Sequence, residues 1–178
     1  MEKYADILAS DGIGIIATDT IYGVIGKALN KGAVERIYML KRRTPTKPFI
    51  ILISEIEDIS CFGIDIDSSL KKKLESYWPG PISIILDCPC DEFEYLHRGT
   101  HTLAFRLPAK TELQKLIART GPLVAPSANP EGLLPAQSID EAKIYFHEDV
   151  DFYQSGNVSD RPSKIIKIVN DTVEIIRA

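Results

Sequence analysis

Four cations, Lys41, Arg42, Arg43 and Lys47, fall within seven residues of a chain whose formal charge is −4. Such a cluster suits an anion, because an arginine fork donates two parallel hydrogen bonds to a phosphate or carboxylate. It equally suits a solvated helix end, where cations offset the helix dipole. Spacing alone leaves both readings open. Other polar residues gather where apolar runs stop. Thr18-Asp19-Thr20-Ile21-Tyr22-Gly23 directly follows one run, Pro126-Ser127-Ala128-Asn129 follows a second, and Arg106 lies near the end of a third. In open α/β sheets ligands collect at strand ends of this kind.

Several other chemistries are excluded or weakened. There is no Gly-x-x-x-x-Gly-Lys loop, and Gly12 and Gly14 precede a strand instead of following one, so neither phosphate fingerprint is present. Ser127 lacks a Gly-x-Ser-x-Gly frame, and no histidine is placed as its base, which leaves a covalent serine mechanism without support. Cys88, Cys90, His97 and His101 form a Cys-x-Cys, His-x-x-x-His series. The cysteine pair is tighter than structural zinc spacing and carries Pro89 between its members, so we read these as ordinary loop residues and expect no protein-bound metal. Lys71-Lys72-Lys73 reads as a solvated helix face.

The elements that must position these residues alternate along the chain. Glu2 to Ser10 reads as an amphipathic helix, and Ile13 to Ala17 as a buried strand. Asn30 caps a helix through Ala33, Val34, Ile37 and Leu40 that runs into Lys41-Arg42-Arg43. Phe49 to Ile53 is an apolar strand, followed by two short helical stretches, the second from about Asp67 to Tyr77. Ile82–Leu86, Leu103–Leu107 and Leu123–Ala125 are further strands. Thr111 with Gln114, and Ser138 with Glu141, fit capping boxes. Lys164–Val169 and Val173–Arg177 flank a turn at Asn170-Asp171 and read as a hairpin. A hairpin beside alternating helices and strands predicts one α/β domain over residues 1–178 with a mixed sheet.

The whole-chain arithmetic agrees. With 44% hydrophobic and 26% charged residues, the composition of the 178 residues is that of a folded globular protein. The 25 Asp and Glu against 21 Lys and Arg exclude a basic nucleic-acid coat and a polybasic membrane anchor. No apolar run approaches the roughly 20 residues of a membrane span, the first residues lack a secretory pattern, and three cysteines make no disulfide framework. A cytoplasmic protein without membrane contact is expected.

Taken in order, the blocks Ala17-Thr18-Asp19-Thr20-Ile21-Tyr22-Gly23, Lys41-Arg42-Arg43 with Lys47-Pro48, Trp78-Pro79-Gly80-Pro81, Ala104-Phe105-Arg106-Leu107-Pro108, Pro126-Ser127-Ala128-Asn129 and Pro162-Ser163-Lys164-Ile165-Ile166 resemble the YrdC-like family of threonylcarbamoyl-AMP synthases. The resemblance implies a YrdC/RibB-like twisted sheet of parallel and antiparallel strands, surrounded by helices, with a basic concave cleft. It also implies a nucleotidyltransferase that makes threonylcarbamoyl-AMP and pyrophosphate from L-threonine, bicarbonate and ATP, with a divalent cation such as Mg2+. The product would serve tRNA modification through separate threonylcarbamoyl-transfer proteins, with double-stranded RNA or tRNA as a possible direct partner.

The same resemblance implies roles for individual residues. Lys41 and Arg43 would be catalytic, with Arg43, Lys47, Thr102, Ser127, Asn129 and Arg177 at the nucleotide. Thr18, Thr20, Tyr22, Arg106, the Ala125 backbone and Ser163 would hold threonine, with Arg106 on its carboxylate. Three positions depart from the family pattern: Ala17 for proline, Leu52 for a histidine present in many members, and Glu131 for a serine. The competing expectations are a non-catalytic RNA-binding module, and a paralogue acting on another nucleotide or carbamoyl substrate.

Overall fold

The computed structural model describes residues 2–169 and 172–178. Their strands are β1 (Gly14–Ala17), β2 (Tyr22–Lys27), β3 (Ile50–Leu52), β4 (Ile82–Asp87), β5 (Thr102–Arg106), β6 (Leu123–Val124), β7 (Phe152–Gln154), β8 (Lys164–Val169) and β9 (Thr172–Arg177). Among the described residues these form one nine-stranded sheet in the order β7-β1-β2-β6-β3-β5-β4-β8-β9. Three pairs are parallel (β1 with β7, β3 with β5, β4 with β8) and the others antiparallel, so the sheet is mixed as expected. The helices are α1 (Glu2–Ala9), α2 (Lys31–Lys41), α3 (Ser68–Glu75), α4 (Glu94–His97), α5 (Thr111–Thr120) and α6 (Ile139–Phe146).

The period-two alternation of each strand divides the core between the two faces of the sheet. Ile15, Val24, Ile51, Phe105, Ile84 and Ile166 point into the larger cluster, which Ile37 of α2, Leu74 of α3 and Phe146 of α6 complete. Their strand neighbours Ile16, Ile25, Leu52 and Leu123 point the other way. There they meet Ala5 and Leu8 of α1, and Leu113, Leu116 and Ile117 of α5. Phe152 of β7 joins them, so among the described residues the second face is covered over β7, β1, β2, β6 and β3. Its continuation across β5, β4 and β8, with Arg106, Ser83 and Ile165, has no helix in that cluster. A site can form where the cover stops.

Side-chain caps explain the starts of α2, α3 and α6. Asn30 accepts a hydrogen bond from the Ala33 N–H at 2.8 Å, and Asp67 accepts one from Leu70 at 2.7 Å. The capping boxes need correction. Thr111 is the first helical residue behind Lys110, which makes no side-chain cap, and Gln114 donates to the Pro108 carbonyl. Ser138 does accept from the Glu141 N–H, but Glu141 accepts from Gln137 instead of returning to Ser138. Strands β2 and β7 were not expected from the sequence. The turn expected at Asn170-Asp171 lies outside the described residues, although Val169 and Thr172 on either side of it pair as a hairpin requires. Among the described residues no helix is long and apolar enough to cross a membrane.

Gly14 marks a close approach. A Cβ there would lie 2.3 Å from the ring of Phe152, which is buried and stacked on Tyr4 at 4.5 Å. Gly14→Ala should therefore lower the unfolding free energy by about 1–3 kcal/mol through overpacking. Urea denaturation checks this, and an unchanged midpoint would refute the contact.

Candidate functional site

Where the cover of the second face stops, the sheet bounds a cavity of about 240 Å3. Gly23, Ile50, Ala125, Arg106 and Ile165 form its floor, each on the strand face that points away from the larger core. Thr18, Thr20, Tyr22, Arg43, Ser127, Ser163 and Arg177 close its sides. Nine of the residues expected at the site therefore come together: Thr18, Thr20, Tyr22, Arg43, Arg106, Ala125, Ser127, Ser163 and Arg177. Among the described residues the charged members of the lining are Arg43, Arg106 and Arg177, with no carboxylate.

The β1–β2 turn is held by its own hydroxyls. Thr18 Oγ1 donates to the Ile21 carbonyl at 2.7 Å, accepts the Thr20 N–H at 3.1 Å and lies 3.1 Å from the Thr20 hydroxyl. These bonds fix the turn with alanine at position 17, without a proline. Tyr22 donates its hydroxyl to the Gly156 carbonyl at 2.9 Å and so pins the loop before β8 against the cavity. In the same turn Asp19 forms an ion pair with Arg106 and accepts the Ala109 N–H at 3.2 Å. Sequence reading missed Asp19 as a partner, although its charge between two threonines beside a buried strand was the available signal. Arg106 is only 3% exposed. Burial lowers its guanidinium pKa while Asp19 pushes it back up. With one terminal nitrogen on Asp19, its buried Nε has no hydrogen-bond partner among the described residues.

Arg177 donates to the Ser163 carbonyl at 2.6 and 3.1 Å and to its hydroxyl at 3.2 Å, and Ser163 in turn lies 2.9 Å from the Ser83 hydroxyl. Burial, followed by the nearby Arg106 charge, lowers the Arg177 pKa. Arg43 donates through Nε to the Lys47 carbonyl at 3.0 Å and lies over the Phe49 ring. Burial is the first cause lowering its pKa too.

Four expected residues stand outside the cavity lining. Thr102 shares the face of Arg106 but lies four residues back along β5, ~13 Å by strand rise. Asn129 accepts the Ser127 hydroxyl at 2.6 Å and donates to the Leu133 carbonyl at 2.8 Å, so it orients Ser127 from behind. Lys47 is engaged by Glu131. Lys41 is buried and donates to the Ser127 and Asn129 carbonyls, beneath the loop instead of in the cavity. Leu52 is packed in the core under α5. Among the described residues no three His, Cys, Asp or Glu side chains come together to hold a metal ion. The Cys88 thiol is directed at the Phe62 carbonyl, and the His97 and His101 rings lie 5.0 Å apart.

A mixed parallel and antiparallel sheet with helices on its faces, and three arginines lining one cavity, defines an α/β protein. Residues 6–178 match the model of the Sua5/YciO/YrdC family, described as "Telomere recombination", and the chain belongs to that family. It is 31% identical to a threonylcarbamoyl-AMP synthase of Hahella chejuensis, over 93% of this chain and 91% of that one. It is 30% identical to one of Marinobacter nauticus, over 88% and 85%. Among solved structures it resembles P. abyssi Sua5 complexed with L-threonine, with a TM-score of 0.88 and 26% identity over 98% of this chain. The chain spans about half (52%) of that protein's length. E. coli YciO, at 22% identity and a TM-score of 0.83, shares the fold.

Burial and the neighbouring Arg43 charge lower the Lys41 pKa to about 7, with Glu131 pushing the other way. Since that lies below the ordinary value of 10.5, the unfolded chain holds more protons between those pH values. Stability from this group therefore rises with pH across that window. Urea unfolding should show the wild type gaining about 2 kcal/mol on Lys41→Met between pH 7 and pH 9. A gap that stays constant would mean Lys41 keeps its proton throughout.

Proposed function

We propose that the chain is a threonylcarbamoyl-AMP synthase, joining L-threonine, bicarbonate and ATP with release of pyrophosphate. The observation that carries this reading is Arg106: a buried guanidinium that lines the cavity, with one terminal nitrogen held by Asp19. A ligand carboxylate pairs with the part of the guanidinium that faces the cavity and fixes the orientation of the amino acid bearing it. Thr20 and Ser163 supply hydroxyls, and the Ala125 backbone a further contact, around the same space.

The nucleophile is then the substrate's own. Bicarbonate and the threonine amine give a carbamate and water, and the carbamate oxygen attacks the α-phosphorus of ATP while pyrophosphate leaves. No protein nucleophile or serine–histidine pair is needed. The protein's part is to position the reactants and neutralise charge that moves onto the leaving phosphates. Arg43 and Arg177 face that task from the cavity walls, with Ser127 beside them and Lys47 on the adjoining loop. The cavity is small for a whole nucleotide, so the adenosine end lies along the open face of β5 towards Thr102. The divalent cation travels on the nucleotide's phosphates, since among the described residues the charged lining is arginine alone. In this reading residues 1–178 act as one domain in the cytoplasm. The adenylate passes to separate transfer proteins that modify tRNA.

Incubation with threonine, bicarbonate, ATP and Mg2+ should release pyrophosphate only when threonine is present. Absence of threonine-dependent release from folded protein would defeat the proposal. Arg106→Lys keeps a charge opposite Asp19 but removes the planar fork, and should raise KM for threonine by roughly 30-fold or more. Arg43→Ala should act mainly on KM for ATP. The reverse pattern would overturn the two placements.

A further inference from the structure

Glu131 makes contacts that the reaction above leaves unused. Its carboxylate accepts the Thr44 N–H, accepts the Thr44 hydroxyl at 3.1 and 3.0 Å on its two oxygens, and pairs with the Lys47 ammonium. A backbone N–H, a hydroxyl and an ammonium converging on one anion are the donor types that proteins turn towards phosphate oxygens. Here the chain's own carboxylate takes them. These donors hold the Glu131 carboxyl down at about 2, with the Lys47 contact as the first cause.

The position of this donor set ties it to the cavity. Thr44 follows Arg43 directly, and Arg43 donates to the Lys47 carbonyl at 3.0 Å and to the Pro48 carbonyl at 3.3 Å. Glu131 is fixed nearby because its N–H donates to the Lys41 carbonyl at 2.7 Å, at the end of α2. The Lys47 side chain is 55% exposed and that of Glu131 26% exposed, so an incoming anion reaches them without unfolding the loop. An ion pair this open to water is weak. It tunes occupancy of the donors without locking them.

We propose that Glu131 is an internal competitor for the nucleotide: its carboxylate occupies the Thr44–Lys47 donors that the polyphosphate of ATP takes on binding. Glu131 thereby sets ATP affinity below that of the same loop without a carboxylate. This rests on the nucleotide reading of the site. The chemistry it claims, however, is that of a polyphosphate, and can be tested without adenosine or threonine.

The test compares wild type, E131Q and E131S by calorimetry with inorganic tripolyphosphate, and by steady-state kinetics with ATP and threonine. E131S should bind tripolyphosphate roughly two- to fivefold more tightly, the range an exposed ion pair allows. E131Q, which keeps an acceptor but no charge, should fall between. KM for ATP should drop by a similar factor, while KM for threonine and the thermal midpoint stay unchanged. A merely structural Glu131 predicts the opposite: a lower midpoint in E131S and raised KM for both substrates. Equal or weaker tripolyphosphate binding by E131S, or no binding to either protein, overturns the inference. If tripolyphosphate discriminates the variants but no threonine-dependent turnover appears, the synthase reading fails and the competitor stands.

Discussion

A guanidinium that is 3% exposed must be paired, and the pairing of Arg106 with Asp19 organises this molecule. Removing one partner of such a pair leaves an uncompensated buried charge, at a cost of about 3–5 kcal/mol. The end of β5 and the β1–β2 turn are therefore bound to one another, although 87 residues separate them in the chain. Asp19 also takes the Ala109 N–H, which fixes the segment leading to α5. Asp19 holds one terminal nitrogen of a guanidinium that also lines the cavity, so the contact that joins these elements stands at the cavity's edge.

The cavity follows from how the sheet is covered. On the larger core, apolar residues meet helices from β1 to β8, whereas α1 and α5 cover only part of the opposite face. A fully covered sheet has no such recess. At its far edge a register shift supplies the last wall. Ile166 pairs with Ile175 but Ile165 pairs with Arg177, so Ile176 is extra. Without this bulge Arg177 would fall opposite Lys164, with the alternation of Ile175 and Ile166 towards the larger core. The extra residue turns it to the side of Ile165, which lines the cavity.

The strands most legible in the sequence were unbroken apolar runs, and the hidden ones had a physical reason to look otherwise. Strand β2 reads Tyr-Gly-Val-Ile-Gly-Lys, a glycine content that suggests a turn. Gly26 is there because a Cβ would crowd Ile37 and Ile13 at 3.0 and 3.1 Å, a constraint invisible before α2 is docked. At the site, Arg43, Arg106 and Ser127 were legible because strand ends and helix ends put them there. Lys41 was placed beside Arg43 by sequence and apart from it by backbone. Arg42 ends α2 in the left-handed region at φ 49°, so the chain changes direction between the two. The Glu131–Lys47 pair spans 84 residues of chain, beyond the reach of any local pattern.

The end of α2 explains why an ammonium is buried at all. The carbonyls of Ser127 and Asn129 point inward beneath the loop that follows β6, where an unpaired backbone group costs as much as a lost hydrogen bond. Lys41 reaches both with its side chain, while its own carbonyl takes the Glu131 N–H. One residue thus joins the loop carrying Ser127 to the helix from which Arg43, Thr44 and Lys47 emerge. An apolar side chain would avoid the desolvation cost but leave two carbonyls unanswered. A lysine is retained there because its donors, more than its charge, hold the loop after β6 to the end of α2.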